Sequence, residues 1–423
     1  MKNIALLFVL ILAFSSCQNF DDPIPDGSFL ETPTLSTRLV DETSVELTWS
    51  SAQICNINCP SIVPASFYEV WTKSLVSSTN YKLVEIPAGQ MSYLVEGLEP
   101  GVRQEFYVVA KRANVSNETN RVMVVPNELP ASLTVFEKAS FDYITHPQVS
   151  PDGTKVIYTI SEAGSSIQPQ QVFVFDLNSK SEKLISEKGQ YPSWSANGES
   201  LIFVVGDQNI SALREYTVAS GESEEIISDS FQSYFPVFGV RDTTLIYFLD
   251  SLDEGDQSII LFNLDEEATN PKRTLRDVDD IENIQMPILG MTYSTEENNV
   301  AYSVTFAKDT PVGFSYDVVG FAVNSPTSLR SFVVSDWNDS NPSFSPTNSE
   351  LLAFVSDRSG TNQLWIRNTI TGKLYQVTDF QESERINVGI VGLSWSEEKL
   401  YINIQETSGV TRLVSLDVSS LLN

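Results

Sequence analysis

Histidine is almost missing from this chain: His146 is the only one in 423 residues. A metal centre built on several imidazoles is therefore excluded, and a Ser-His-Asp site has a single place to form. Basic residues are scarce as well. The 26 Lys and Arg stand against 55 Asp and Glu, a formal charge of −29, so nucleic acid and anionic lipid are repelled rather than bound. No Gly-x-Ser-x-Gly nucleophile elbow occurs. The N-terminal apolar run from Ile4 to Phe14 is too short to span a bilayer as a helix.

What that run does have is the layout of a bacterial secretory signal: Lys2, the apolar stretch, then Phe14-Ser15-Ser16-Cys17. Small residues directly before a cysteine resemble the lipobox of bacterial lipoproteins, although Phe14 stands where that family usually has Leu. The resemblance implies cleavage before Cys17, which then carries the lipid anchor. The alternative is a plain signal peptide with an incidental cysteine. Gln18-Asn19-Phe20-Asp21-Asp22 is similar to the acidic export tag of Bacteroidetes surface lipoproteins. It implies a lipid-anchored protein of the outer membrane, displayed on the cell surface; without such a tag the protein stays on the periplasmic face.

The hydrophobic share of 41% is that of a globular protein. Cys55 and Cys59 remain as a pair in an exported, oxidising setting, and a local disulfide is the first reading. Free thiols are the second. A zinc site is the third, because it needs two further soft or imidazole ligands.

Residues 1–17 thus read as signal peptide and lipobox, and 18–31, rich in Asp and Pro, as a flexible tether. Over 32–126 the pattern is that of short alternating strands. Ser44-Val45-Glu46-Leu47-Thr48-Trp49 and Tyr68-Glu69-Val70-Trp71 both have period two. The span resembles a fibronectin type III domain, a β-sandwich. Trp49 falls where that family keeps its core tryptophan, and Leu98-Glu99-Pro100-Gly101 precedes Phe106, Val108 and Ala110 at the family's spacing. Gln104 replaces the usual corner tyrosine. Such domains imply a spacer first and a binding module second.

From 132 to 423 the sequence repeats. Pro147-Gln148-Val149-Ser150-Pro151-Asp152-Gly153 precedes Val156-Ile157-Tyr158, and the frame returns at Pro192-Ser193-Trp194-Ser195, Pro236-Val237-Phe238 and Pro342-Ser343-Phe344-Ser345. Weaker copies lie at Thr292-Tyr293-Ser294 and Leu393-Ser394-Trp395-Ser396. Anchors Ser150, Ser195, Gly239, Ser294, Ser345 and Ser396 are 45, 44, 55, 51 and 51 residues apart. Six units of this length read as six four-stranded propeller blades. The last unit runs out one strand short, and Leu133-Thr134-Val135-Phe136 is expected to close the ring by pairing with it. Ser150-Pro151-Asp152-Gly153 and Phe354-Val355-Ser356-Asp357-Arg358-Ser359-Gly360 resemble the TolB-type propeller repeat. The fold class expected is all-β: a fibronectin type III-like sandwich followed by a six-bladed β-propeller.

Catalytic candidates are few. The His146-Pro147 context reads as a turn, no pair of carboxylates stands out for glycoside cleavage, and Asp152-Gly153 lacks the spacer of a sialidase Asp-box. Asp250-Ser251-Leu252-Asp253-Glu254-Gly255-Asp256 offers oxygen ligands for calcium but not EF-hand spacing, and reads first as a solvated turn. No catalytic residue, metal or cofactor is called for. The expectation is therefore a non-catalytic, monomeric, membrane-anchored binding protein, and the resemblance to TolB-like propellers implies a protein partner in the cell envelope. The alternative is glycan binding or processing as an accessory to polysaccharide uptake, with Trp337 as the ligand-facing aromatic. Trp194 and Trp395 share a slot with Phe238 and Phe344 and read as core.

Overall fold

The computed structural model describes residues 28–55, 63–73, 79–138, 142–162, 170–206, 211–229, 232–239, 242–250, 257–264, 271–278, 288–294, 296–307, 314–380, 383–387 and 391–422. Cys17, the Cys55–Cys59 pairing and the acidic loop at 251–256 lie outside the residues so described. The chain divides into two compact units. Of the described residues, one holds those within 28–35, 48–92 and 106–121; the other holds those within 36–47, 93–105 and 122–422. The span 32–126 is shared between them.

In the first unit, Phe67–Lys73 pairs antiparallel with Asn80–Pro87, and Gln104–Arg112 with Val115–Glu118. Phe67–Lys73 alternates strictly, with Tyr68, Val70 and Thr72 buried, as its period-two sequence requires. The Trp49 and Tyr68 rings meet at 5.7 Å in this core, and the Tyr68 hydroxyl accepts from the backbone N–H of Ala52 at 3.0 Å. Burial raises the Tyr68 pKa.

The second unit contains six successive antiparallel sheets. Sheet I is Asp142–Val149, Lys155–Glu162, Gln171–Asp176 and Glu182–Ser186. Sheet II is Gln190–Trp194, Ser200–Gly206, Ser211–Thr217 and Ser223–Asp229. Sheet III is Gln232–Phe238, Thr244–Asp250, Gln257–Asn263 and Lys272–Asp277. Sheet IV is Ile288–Ser294, Asn299–Ala307, Phe314–Ala322 and Ser325–Val333. Sheet V is Asp339–Phe344, Leu351–Ser356, Gln363–Asn368 and Leu374–Gln376. In sheet VI, Leu393–Ser396 and Glu384–Arg385 both pair with Lys399–Glu406, which pairs with Thr411–Asp417. A four-residue helix, Ser419–Leu422, follows.

The missing strand of sheet VI comes from ahead of sheet I. Ser132–Lys138 pairs antiparallel with Thr411–Asp417, from Ser132 opposite Leu416 to Lys138 opposite Thr411. The expected supplier is the one observed. The pairing covers an edge that otherwise exposes a row of unpaired backbone groups. Phe136 fixes it from the side, with its ring 4.5 Å from Phe175 and 5.1 Å from Tyr158.

The sheets pack in a cycle. Apolar clusters join I to II through Ile157 and Leu201, II to III through Ile202 and Tyr247, and III to IV through Phe248 and Val300. They continue from IV to V through Val318 and Phe354 and from V to VI through Leu364 and Ile402, and Tyr401 of sheet VI returns to Ile144 of sheet I. The anchors sit at equivalent turns. Ser150 N–H donates to Lys155 O at 2.8 Å, Ser195 to Ser200 at 2.9 Å and Gly239 to Thr244 at 2.8 Å. Gly153 adopts φ 67°, the left-handed conformation its Pro-Asp-Gly turn needs. Asp152 completes that corner by accepting from Ser150 Oγ at 2.6 Å and from Thr154 N–H at 3.0 Å.

Sheet V also buries a charge pair. Arg358 and Asp339 are 1% and 0% exposed, so their direct ion pair is wholly desolvated. Ser356 Oγ accepts from Arg358 Nε at 2.8 Å, and the guanidinium lies over the rings of Phe354 and Trp365.

Candidate functional site

In the first strand of sheets I to V, and just before Leu393–Ser396 in sheet VI, a special residue stands four places before the anchor: His146, Tyr191, Phe235, Gly290, Asn341 and Gly392. The first five have positive φ, at 46°, 50°, 50°, 88° and 50°. Each lies within a register shift of its strand, a β-bulge that leaves extra residues unpaired. A bulky residue in this conformation costs about 1–3 kcal/mol and persists only where its surroundings over-determine it. Such strain, repeated in four sheets, gathers at one place: all six residues border a single cavity of about 410 Å³.

Gly392 is the sixth member and lacks the positive φ. Its constraint is proximity. A Cβ there meets the backbone of Pro147 at 2.4 Å and of His146 at 2.5 Å, so only glycine lets sheet VI close against sheet I.

The cavity has two kinds of wall. On sheets I to III the rings of His146 and Tyr191 lie 4.7 Å apart, those of Tyr191 and Phe235 4.6 Å, and those of His146 and Phe235 6.1 Å, all inclined to one another. On sheets IV to VI the matching positions are Gly290, Asn341 and Gly392; Gly290 and Gly392 lie close against the backbone of the next sheet and add no side chain to the wall. Ser193 and Ser343 add hydroxyls, and Glu296 is the one carboxylate among the lining residues.

Burial lowers the His146 pKa from 6.5 to about 4, so the imidazole is neutral at neutral pH. Its Nδ1 is buried without a hydrogen-bond partner. Burial, with the phenol of Tyr234 nearby, raises the Tyr191 pKa. Tyr234 is pushed up to about 12 by burial and, secondarily, by Asp250.

His146 is thus not a turn residue: it sits at a bulge inside Asp142–Val149 and borders the cavity. Trp194 and Trp395, 9% and 6% exposed, are core residues at the cavity's edge, as their repeat slot implies. Trp337 lies elsewhere. It precedes Asp339–Phe344, at the opposite end of that strand from the Ser345 turn that borders the cavity, and its N–H donates to Ser335 Oγ at 3.2 Å. Among the described residues no group of three or more His, Cys, Asp or Glu is placed to hold a metal ion. Among them, too, no helix is long and apolar enough to cross a membrane.

No protein-family model matches the chain, and no curated protein matches it. Solved structures similar to it include TolB from Acinetobacter baumannii, at 12% identity and TM-score 0.37 over 92% of this chain and 80% of that one. The β-propeller domain of the Trilobed protease from Pyrococcus furiosus is similar at 10% identity and TM-score 0.46, over 66% and 94%. Oligogalacturonate lyase from Vibrio parahaemolyticus is similar at 12% identity and TM-score 0.47, over 93% and 99%. TolB-like β-propellers are thus among its structural neighbours, and so are enzymes. At TM-scores below 0.5 these likenesses assign no activity. The architecture rests on the chain's own sheet order and on the cycle of packing between sheets.

Proposed function

We propose that this chain is a non-catalytic, lipid-anchored binding protein of the cell envelope. In this reading Cys17 carries the lipid, 18–31 is the tether, 32–126 is a fibronectin type III-like spacer whose loop holds a Cys55–Cys59 disulfide, and 132–423 is a six-bladed TolB-like propeller. The cycle of sheets I to VI supplies the blades, and Ser132–Lys138 supplies the closure. The propeller is a rigid frame on which a protein partner docks where the cavity opens.

The observation that carries the non-catalytic reading is the surroundings of His146. The chain's one imidazole faces Tyr191 and Phe235, and its Nδ1 has no carboxylate to orient it. A general base in a triad needs both an orienting acid and a nucleophile within hydrogen-bond reach.

The reading is tested in intact cells with the full-length protein. Cys17→Ser is expected to move it from the membrane to the soluble fraction. Crosslinking followed by affinity capture is expected to recover one envelope protein in stoichiometric amount, joined through propeller loops. A membrane-bound Cys17→Ser protein overturns the anchor, and the absence of any stoichiometric partner overturns the docking role. The ring-walled cavity favours a second reading, glycan recognition, and that cavity carries a more specific assignment.

A further inference from the structure

We infer that the cavity is a binding subsite for a neutral pyranoside, a sugar ring without carboxylate or phosphate. This rests on the binding-module reading and goes beyond it, because the partner uses the rim and the sugar the interior.

Size comes first. About 410 Å³ lies within the range of roughly 300–1,000 Å³ typical of small-molecule sites and matches one or two sugar rings rather than a folded element. The walls then narrow the chemistry. A pyranose has an apolar C–H face and a rim of hydroxyls. His146, Tyr191 and Phe235 give one continuous aromatic wall on three adjacent sheets, against which C–H groups pack. Ser193 and Ser343 add neutral hydroxyls to the lining.

Charge decides between sugar types. Among the described residues no Lys or Arg lines the cavity and Glu296 is the one charged lining residue, and the whole chain carries −29. A uronate or a sugar phosphate meets no counter-charge there and a repulsive field outside.

Strain gives an independent reason. Four non-glycine residues, His146, Tyr191, Phe235 and Asn341, hold positive φ at the cavity, whereas in the same slot Gly290 and Gly392 sit against the backbone of the next sheet. The bulges aim those side chains at the one space they share.

The test uses detergent-solubilised full-length protein and titration calorimetry with maltohexaose, cellohexaose, mannohexaose and xylohexaose, with hexagalacturonate as the anionic counterpart. At least one neutral oligomer is expected to bind with Kd below about 1 mM. Tyr191→Ala and Phe235→Ala are each expected to weaken it by about tenfold or more, while Trp337→Ala binds as the parent does. In the unsubstituted protein, the bound sugar is expected to slow hydrogen exchange in Gln190–Trp194 and Gln232–Phe238, a readout that survives even if a variant fails to fold. Failure of all four neutral oligomers to bind overturns the inference. So does equal binding of hexagalacturonate, or binding that leaves those two strands unprotected. Release of shortened sugar overturns the non-catalytic reading and leaves the subsite standing; a captured partner without sugar binding does the reverse.

Discussion

Trp395 donates from its indole Nε1 to the backbone carbonyl of Ser343 at 3.0 Å, tying sheet VI to the inner strand of sheet V. Trp194 makes the equivalent bond from sheet II to Gln148 of sheet I, also at 3.0 Å. Both indoles stand one place before an anchor, where Phe238 and Phe344 fill the slot in sheets III and V. Trp395→Phe keeps the ring and removes the donor. It is expected to destabilise by about 1–3 kcal/mol, because a buried carbonyl loses its partner. Urea unfolding measures this as a lower midpoint at unchanged slope.

The buried Asp339–Arg358 pair predicts a larger effect. Asp339→Ala strands a desolvated guanidinium and is expected to cost about 3–5 kcal/mol. The double variant Asp339→Leu/Arg358→Met removes both charges and is expected to recover most of that loss. Thermal unfolding of the single and double variants distinguishes them. A double variant as unstable as the single one means that the pair is held by something other than charge compensation.

Closure by Ser132–Lys138 predicts association when it is removed. Deleting residues 132–138 frees the full length of Thr411–Asp417, a strand with Leu413, Val414 and Leu416 buried. The exposed edge is expected to pair with other copies, giving oligomers on size-exclusion chromatography. A deleted protein that stays monomeric and as stable as the parent contradicts the closure.

The shared Trp and Phe slot and the closing strand were both legible in the sequence. The repeated Pro and Ser anchors, the apolar second strands and the short last unit were enough to expect six sheets and to name Leu133–Phe136 as the closing segment. The site was not legible. Proline normally holds the residue before it in extended backbone, so His146, Tyr191, Phe235 and Asn341, each followed by Pro, read as ordinary strand or turn positions. In the structure each is left-handed, which reverses side-chain alternation locally and turns the residue toward the cavity. A usable signal was present: these residues keep one spacing to the anchors, and three of the four are aromatic. The partner of Arg358 was hidden for another reason. Asp339 lies 19 residues away and meets it only through sheet register.

His146 sets a pH dependence. Its folded pKa, about 4, lies below the unfolded value near 6.5, so between these limits the unfolded state binds more protons. Stability is therefore expected to be fully present above about pH 6.5 and to fall as pH drops toward 4, by about 3 kcal/mol at most. Asp152 and Asp176 have pKa values lowered chiefly by hydrogen bonds, so their contribution is lost below this window as they protonate. His146→Gln is expected to flatten the profile between pH 6.5 and 4 alone. Parallel curves for parent and variant contradict the assignment.

The most direct measurement is site-specific photocrosslinking in living cells from two positions on the full-length protein. Glu296 is exposed beside the cavity, and Trp337 lies at the far end of an inner strand. A partner that docks where the cavity opens predicts one discrete envelope adduct from a photoreactive residue at 296 and none from 337. Adducts from 337 alone, or from neither position, contradict the account.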